Sequence, residues 1–282
     1  MKKLLALLMS LTLLLALAGC GGDQGSTPNQ NNTPNGSTSS ITPEAITARG
    51  VLRVGVKTDV PGFGLQNIAD SSYSGIEIDL AYKIAESLGI EKVEFTPVTA
   101  ATRGQLLDSG DIDLVAATFT INEERKASWN FTTPYYTDAV SLLVKNDSGI
   151  EDFADLQDIT IGVATGATSK VALIAAAADA GVTLDEDKNF AEYASYPEIK
   201  AALDSGRVQA FSVDGSILAG YLDNTNHIVE NIRFSPQDYG LASKKDATEW
   251  AEYLDGLVTG WLADGTMAQI IADNGVVASY TE

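Results

Sequence analysis

From Gly50 onward the chain alternates short β-branched runs with longer stretches in which apolar residues return every three or four positions. Residues 51–56 (VLRVGV) predict a strand, and Leu80, Ala81, Ile84, Ala85 and Leu88 then recur on one helical face. Residues 92–98 predict a second strand, residues 101–108 a helix stopped by Ser109 and Gly110, and residues 112–116 a third strand. The strand pattern returns at 160–164 and 209–213. Such alternation predicts an α/β fold with mainly parallel sheets. Near the C-terminus Trp250, Leu254, Leu257, Val258 and Trp261 fall at helical spacing and read as a core stripe, not a ligand surface.

The pattern also repeats itself. Leu107, Asp108, Ser109 and Gly110 precede one predicted strand, and 96 residues later Leu203, Asp204, Ser205 and Gly206 precede another. Each reads as helix, glycine stop, strand. At the same offset Thr118 corresponds to Asp214, so each copy sets a polar residue just past the carboxyl end of its strand, where ligands sit in open α/β sheets. Two similar lobes are the expectation.

Ahead of this region, Lys2 and Lys3 are followed by an apolar stretch over residues 4–17, short for a membrane span and placed as a secretory signal. Leu17, Ala18, Gly19 and Cys20 resemble the lipobox of bacterial lipoproteins, which implies removal of residues 1–19 and lipid on Cys20. Residues 21–44 are mostly Gly, Ser, Asn, Thr and Pro, a composition that cannot offset the entropy of ordering and reads as a flexible tether. The expected location is the extracellular face of the cell membrane, reached through that anchor.

The 282 residues, 45% of them hydrophobic, suffice for one large or two ordinary cores. Eighteen Lys and Arg against 38 Asp and Glu leave a net charge of −20, which disfavours nucleic acid. One Cys and one His provide no disulfide framework and no Cys/His metal cluster, and no cofactor is expected.

Gly75-Ile76-Glu77-Ile78-Asp79-Leu80, leading into Ala81-Tyr82-Lys83-Ile84-Ala85, resembles a signature of the bacterial extracellular solute-binding proteins (family 3) that deliver polar amino acids to ABC importers. Residues 51–56, 118–125, 131–136 and 162–168 occur in that family's order and spacing, and the resemblance is nearest to its aspartate/glutamate-binding branch. It implies a two-lobed periplasmic-binding-protein-like fold of type II, with mixed, mainly parallel sheets and two hinge crossings. Lobe one would hold residues 45–139 and 240–282 and lobe two residues 144–235, with crossings near 139–143 and 237–242. It also implies hinge closure on the ligand, importer membrane subunits as partners, and a monomer.

The candidate site follows from what a buried zwitterion needs: an anion for its ammonium, and a cation with N–H donors for its carboxylate. Arg125, at the family's carboxylate-binding position, offers a planar fork. Thr118 and Thr120 offer hydroxyls and backbone groups from the same lobe, and Ala167 and Thr168 open a helix on the other. Asp214 fits the ammonium, or equally an N-cap before Gly215-Ser216-Ile217. Arg125 could instead pair at the surface with Glu123 or Glu124.

By the resemblance, Lys57 stands where binders of basic amino acids carry an acid and Arg103 where they carry an apolar residue. Two cations at the end of the ligand side chain call for aspartate or glutamate, with glutamine as the alternative. On the residues alone, Lys57 also fits a solvated strand end and Arg103 an exposed helix position. Val60 replaces an aromatic that often stacks on ligands in the family, Phe63 partly substitutes, and Tyr239 stands where a hinge residue reaches the ligand. Dehydratases share this fold, but an enzyme needs a positioned acid or base, and His227 reads as a surface residue far from these motifs.

Overall fold

The computed structural model describes residues 41–276. The leader, Cys20 and tether residues 21–40 lie outside the described residues.

Thr42 caps the first helix, α1 (Pro43–Arg49), by accepting from the Ala45 amide, and Gly50 ends it in the left-handed region. There follow β1 (Val51–Val56), β2 (Asp59–Val60), β3 (Gly64–Gln66), β4 (Tyr73–Ser74), α2 (Ile76–Ser87), β5 (Lys92–Pro97), α3 (Arg103–Ser109) and β6 (Leu114–Ala116). The chain continues through α4 (Glu123–Ser128), β7 (Trp129–Phe131), β8 (Tyr136–Lys145), β9 (Ile161–Ala164), α5 (Ser169–Asp179), β10 (Phe190–Tyr193), α6 (Tyr196–Asp204) and β11 (Ala210–Asp214). The last elements are α7 (Gly215–Ala219), β12 (Asn226–Tyr239), β13 (Ala242–Lys244), α8 (Thr248–Asp264) and α9 (Thr266–Asp273). The α3 helix starts two residues later than its apolar pattern predicts, because Thr99 and Thr102 exchange hydrogen bonds in a preceding turn.

These strands make two five-stranded sheets of the same plan, ordered β5-β1-β6-β13-β7 and β10-β9-β11-β8-β12. In each, four strands run the same way and one, β13 or β8, runs against its two neighbours, so the sheets are mixed and mainly parallel. β8 and β13 oppose the rest because each follows the preceding strand, β7 or β12, without a helical crossover. A small antiparallel sheet, β2-β3-β4, leans on α2 and has no counterpart in the sequence reading, its strands being two or three residues long.

The repeat seen in the sequence is structural. Gly110 after α3 and Gly206 beyond α6 both adopt positive φ, 77° and 75°, and the strands they release, β6 and β11, are the central strands of the two sheets. Leu107 and Leu203 are both fully buried. Trp250, Leu254 and Val258 of α8 are also buried, with Leu257 and Trp261 packed against the same core.

The chain leaves the first sheet after β7 and enters the second with β8, then returns between β12 and β13. Tyr136 to Ala139 pair with residues 236–239 as a two-stranded ribbon, and β11 joins β8 only at Val140. The passage expected at 139–143 therefore falls largely inside the second sheet, and the connecting segment lies a few residues upstream. Backbone bonds from Thr132 to Leu241 and from Tyr135 to Tyr239 tie the two connections together.

Candidate functional site

Gly75 precedes α2 with φ 126°, and a Cβ there would lie 2.1 Å from the Phe63 carbonyl oxygen, so this entry to the helix requires glycine. The tight start places Glu77, in the first turn, fully inside the protein. Its Oε1 accepts from the Thr118 amide and from the Tyr135 hydroxyl, while Oε2 has no hydrogen-bond partner. Burial raises its pKa, against the pull of Tyr135, Thr118, Arg103 and Lys57. Thr118 itself sits just beyond β6 at φ 43°, buried, with an unpartnered hydroxyl.

Lys57 and Arg103 are 2% and 3% exposed, which excludes a solvated strand end and an outward helix position. Arg103 stacks on Phe119 at 4.0 Å and donates to the carbonyls of Ala117 and Thr118 at 2.6 and 3.0 Å, leaving its buried Nε without a partner. Arg125 approaches the Phe119 ring at 4.8 Å. Its guanidinium donates to the Thr120 carbonyl at 2.8 Å and, across the gap, to the Gly166 carbonyl at 3.1 Å. Burial first, then Arg103, pulls its pKa down to about 9. No ion pair joins it to Glu123 or Glu124 among the described residues.

The opposite wall comes from the second sheet. Asp214 ends β11, is 5% exposed and occupies the N-cap position of α7, yet makes no side-chain cap bond. Asp138 on β8 takes that role instead, accepting from the Ser216 amide at 2.8 Å and from its hydroxyl. Asp214 is thus released from capping and accepts from the Tyr239 hydroxyl. Burial and the charge of Asp138 push its pKa up to about 7, against Tyr239, Arg103 and Arg125. Thr168 precedes α5 and donates to the Gln237 side chain at 2.7 Å, with Ala167 half-buried beside it.

Tyr239 is fully buried, and Thr120 forms a lone bridge with it. Phe63, beside Val60, is fully buried. It meets Tyr136 and Tyr239 edge-on, and both Phe63 and Val60 are buried in the core. The rings against the cations are Phe119, within the 118–125 run, and Tyr196, which no local pattern in the sequence marks. The Tyr196 ring lies 4.5 Å from Lys57 Nζ.

The structure therefore brings Lys57, Arg103, Thr118, Thr120, Arg125, Ala167, Thr168, Asp214 and Tyr239 to the facing ends of the two sheets. It also corrects the charge count. Lys57 Nζ lies 3.0 Å from Asp59, and Arg103 is opposed by Glu77 and Asp214, so the two cations are not unopposed. Three cations, Lys57, Arg103 and Arg125, face three carboxyl groups, Asp59, Glu77 and Asp214. Outside them, a cleft of about 700 Å³ opens between Phe119 and Arg125 on one side and Gly166, Ala167 and Thr168 on the other. His227 is exposed on β12, 3.3 Å from Asn146. Among the described residues no group of three or more His, Cys, Asp or Glu could hold a metal ion, and no helix is long and apolar enough to cross a membrane.

Known proteins resemble this chain in sequence and fold. A glutamine-binding protein of Geobacillus stearothermophilus is 35% identical, over 88% of this chain and 94% of its own. The glutamate-binding protein GluB of Corynebacterium glutamicum is 31% identical, over 82% of this chain and 80% of its own. An ancestral arginine-binding protein, solved bound to glutamine, superposes with a TM-score of 0.69 at 35% identity, over 79% of this chain and 96% of that one. The fold is that of the two-lobed, type II periplasmic amino-acid-binding proteins. The sequence profile of the family spans residues 52–274, and this chain belongs to the bacterial extracellular solute-binding proteins, family 3.

Proposed function

We propose that the protein captures a free polar amino acid, glutamine in the first place, between its two lobes and presents it to the membrane subunits of an ABC importer. The observation that carries this reading is Asp214 held free of its capping duty on one wall while Arg125 presents its guanidinium from the other. That pair matches an α-ammonium and an α-carboxylate. The remaining charges of the cleft balance, so a neutral side chain enters without leaving a buried charge unmatched. The glutamine-binding relative supports the same choice.

Closure is the mechanism this geometry favours. Contacts such as Arg125 to Gly166 span the two walls, and a ligand touching both walls adds free energy only to the shut form, shifting the population toward it. The importer then reads the shut shape. Cys20, carrying lipid, would hold the protein at the outer membrane surface, and metabolic labelling with palmitate, lost in Cys20→Ser, checks that part.

Calorimetry of the purified protein tests the ligand. Glutamine is expected to bind at micromolar concentration or tighter, with glutamate and aspartate weaker and arginine weaker still. Failure of every amino acid to bind overturns the reading. Glutamate is the second reading, favoured by the unpartnered Nε of Arg103 and by the glutamate-binding relative, and it wins if glutamate binds tightest.

A further inference from the structure

Three non-glycine residues among those described hold a positive φ: Ser71, Thr118 and Ser235. The two serines are exposed, whereas Thr118 is 4% exposed and β-branched, the side-chain class least suited to that conformation. Its turn redirects the chain from β6 into a segment on which both cleft arginines rest. Arg103 donates to the carbonyls of Ala117 and Thr118, Arg125 donates to that of Thr120, and both guanidinium groups lie against the Phe119 ring. Beyond the turn, the Phe119 carbonyl accepts from the Gly240 amide at 3.2 Å and the Ile121 amide donates to the Asp238 carbonyl at 2.8 Å, so the same segment is tied to the second connection. What holds the turn itself is Glu77. The Thr118 amide donates to its Oε1. Glu77 is in turn fixed, because its own amide donates to the Phe63 carbonyl at 3.0 Å and the Tyr135 hydroxyl donates to Oε1 at 2.5 Å.

We infer that Glu77 is a positioning residue for amino-acid binding: acting through Thr118, which it holds in the left-handed turn, it sets the seat of both Arg103 and Arg125. The inference rests on the amino-acid reading above and deepens it. A buried amide in a disfavoured turn needs an acceptor, and a carboxylate oxygen is the strongest that a side chain offers. Once that acceptor is lost, the β-branched residue relaxes toward negative φ, the carbonyls of Ala117 and Thr118 turn, and the two forks lose the orientation they present to the cleft. Glu77 also attracts the Arg103 cation, so a pure countercharge role competes with this one. The two roles make different demands. A countercharge must be negative, whereas a holder needs only an acceptor in the right place. A glutamine side chain keeps the acceptor without the charge, and a glycine in place of Thr118 removes the need for a holder.

The test is calorimetry with glutamine and with glutamate at pH 8, each purified protein being measured well below its own melting temperature. It compares wild type, Glu77→Gln, Glu77→Ala, Tyr135→Phe, Thr118→Gly and the double variant Glu77→Ala/Thr118→Gly. Glu77→Ala is expected to weaken the tighter of the two ligands by about tenfold or more, while Glu77→Gln stays within about threefold of wild type. In the Thr118→Gly background the same alanine change should cost about threefold or less, since glycine holds a positive φ unaided. Tyr135→Phe, which keeps the bond to Thr118, should also stay within about threefold. A loss of about tenfold in Glu77→Gln marks a countercharge and overturns the inference, and this arm decides the matter even if Glu77→Ala does not fold. An undiminished cost of the alanine change in the Thr118→Gly background, as lost packing alone would give, overturns it too, as does a loss in Tyr135→Phe equal to that in Glu77→Ala. A wild type that binds neither amino acid defeats the amino-acid reading and this inference with it. A wild type that binds one of them while Glu77→Ala keeps the same affinity defeats the inference alone.

Discussion

The two central strands invite comparison, since β6 and β11 hold the same place in sheets of the same plan and each follows a helix closed by a left-handed glycine. Beyond β6 the chain turns through Thr118 at positive φ and spends its amide on Glu77 within the same lobe. Beyond β11 it continues into α7, and Asp138 takes over the capping so that Asp214 faces the gap. One copy of the scaffold ends in a bound-up donor beneath a cluster of cations, the other in a single available acid. A duplicated frame thus yields two unlike walls, and an asymmetric ligand needs unlike walls.

Substitution at either wall breaks the comparison most severely. Asp214→Asn or Arg125→Ala should weaken amino-acid binding about a hundredfold or more, because each leaves a buried ligand charge unpaired. Calorimetry showing less than a tenfold loss for either would remove that residue from the site. Next in size, Asp138→Ala should cost about 2 kcal/mol of stability in thermal or denaturant unfolding, through loss of the bonds that Ser216 makes to it. The same change removes the anion that helps raise the Asp214 pKa, so any acid weakening of binding should move to lower pH.

That pH dependence is itself the third expectation. The unliganded Asp214 carboxyl titrates near pH 7, and an ammonium partner requires it ionised, so below that pH binding must expel a proton. Affinity should therefore fall with acidity, by about tenfold between pH 8 and pH 6, with nearly one proton released at pH 6 and almost none at pH 8. A flat profile over this range counts against the pairing. The smallest effect is reserved for Thr168→Val, which removes one neutral bond to Gln237 and should change affinity by about threefold, or roughly 0.65 kcal/mol.

How far the sequence speaks differs between these parts. The strands β1, β5 and β9, the glycine stops and the α8 stripe are local patterns, and they appear where the periodicity puts them within a residue or two. The cations and Asp214 are visible through the family resemblance. Their partners are not, because Glu77 meets Thr118 and Tyr135 at separations of 41 and 58 residues, and Asp59 meets Tyr196 at 137. Glu77 in a first helical turn reads as a solvated charge favoured by the helix dipole, and only the three-dimensional packing reveals it as buried. Counting cations without these acids makes the site look more positive in the sequence than it is in the structure.

Gly166 adds a consequence of its own. At φ 79° its backbone comes so near Ala101 that a Cβ would stand 2.9 Å from that residue's Cα. A single methyl at this spot would act as a shim between the jaws, so an alanine there is expected to hold them apart and loosen the grip on a small ligand.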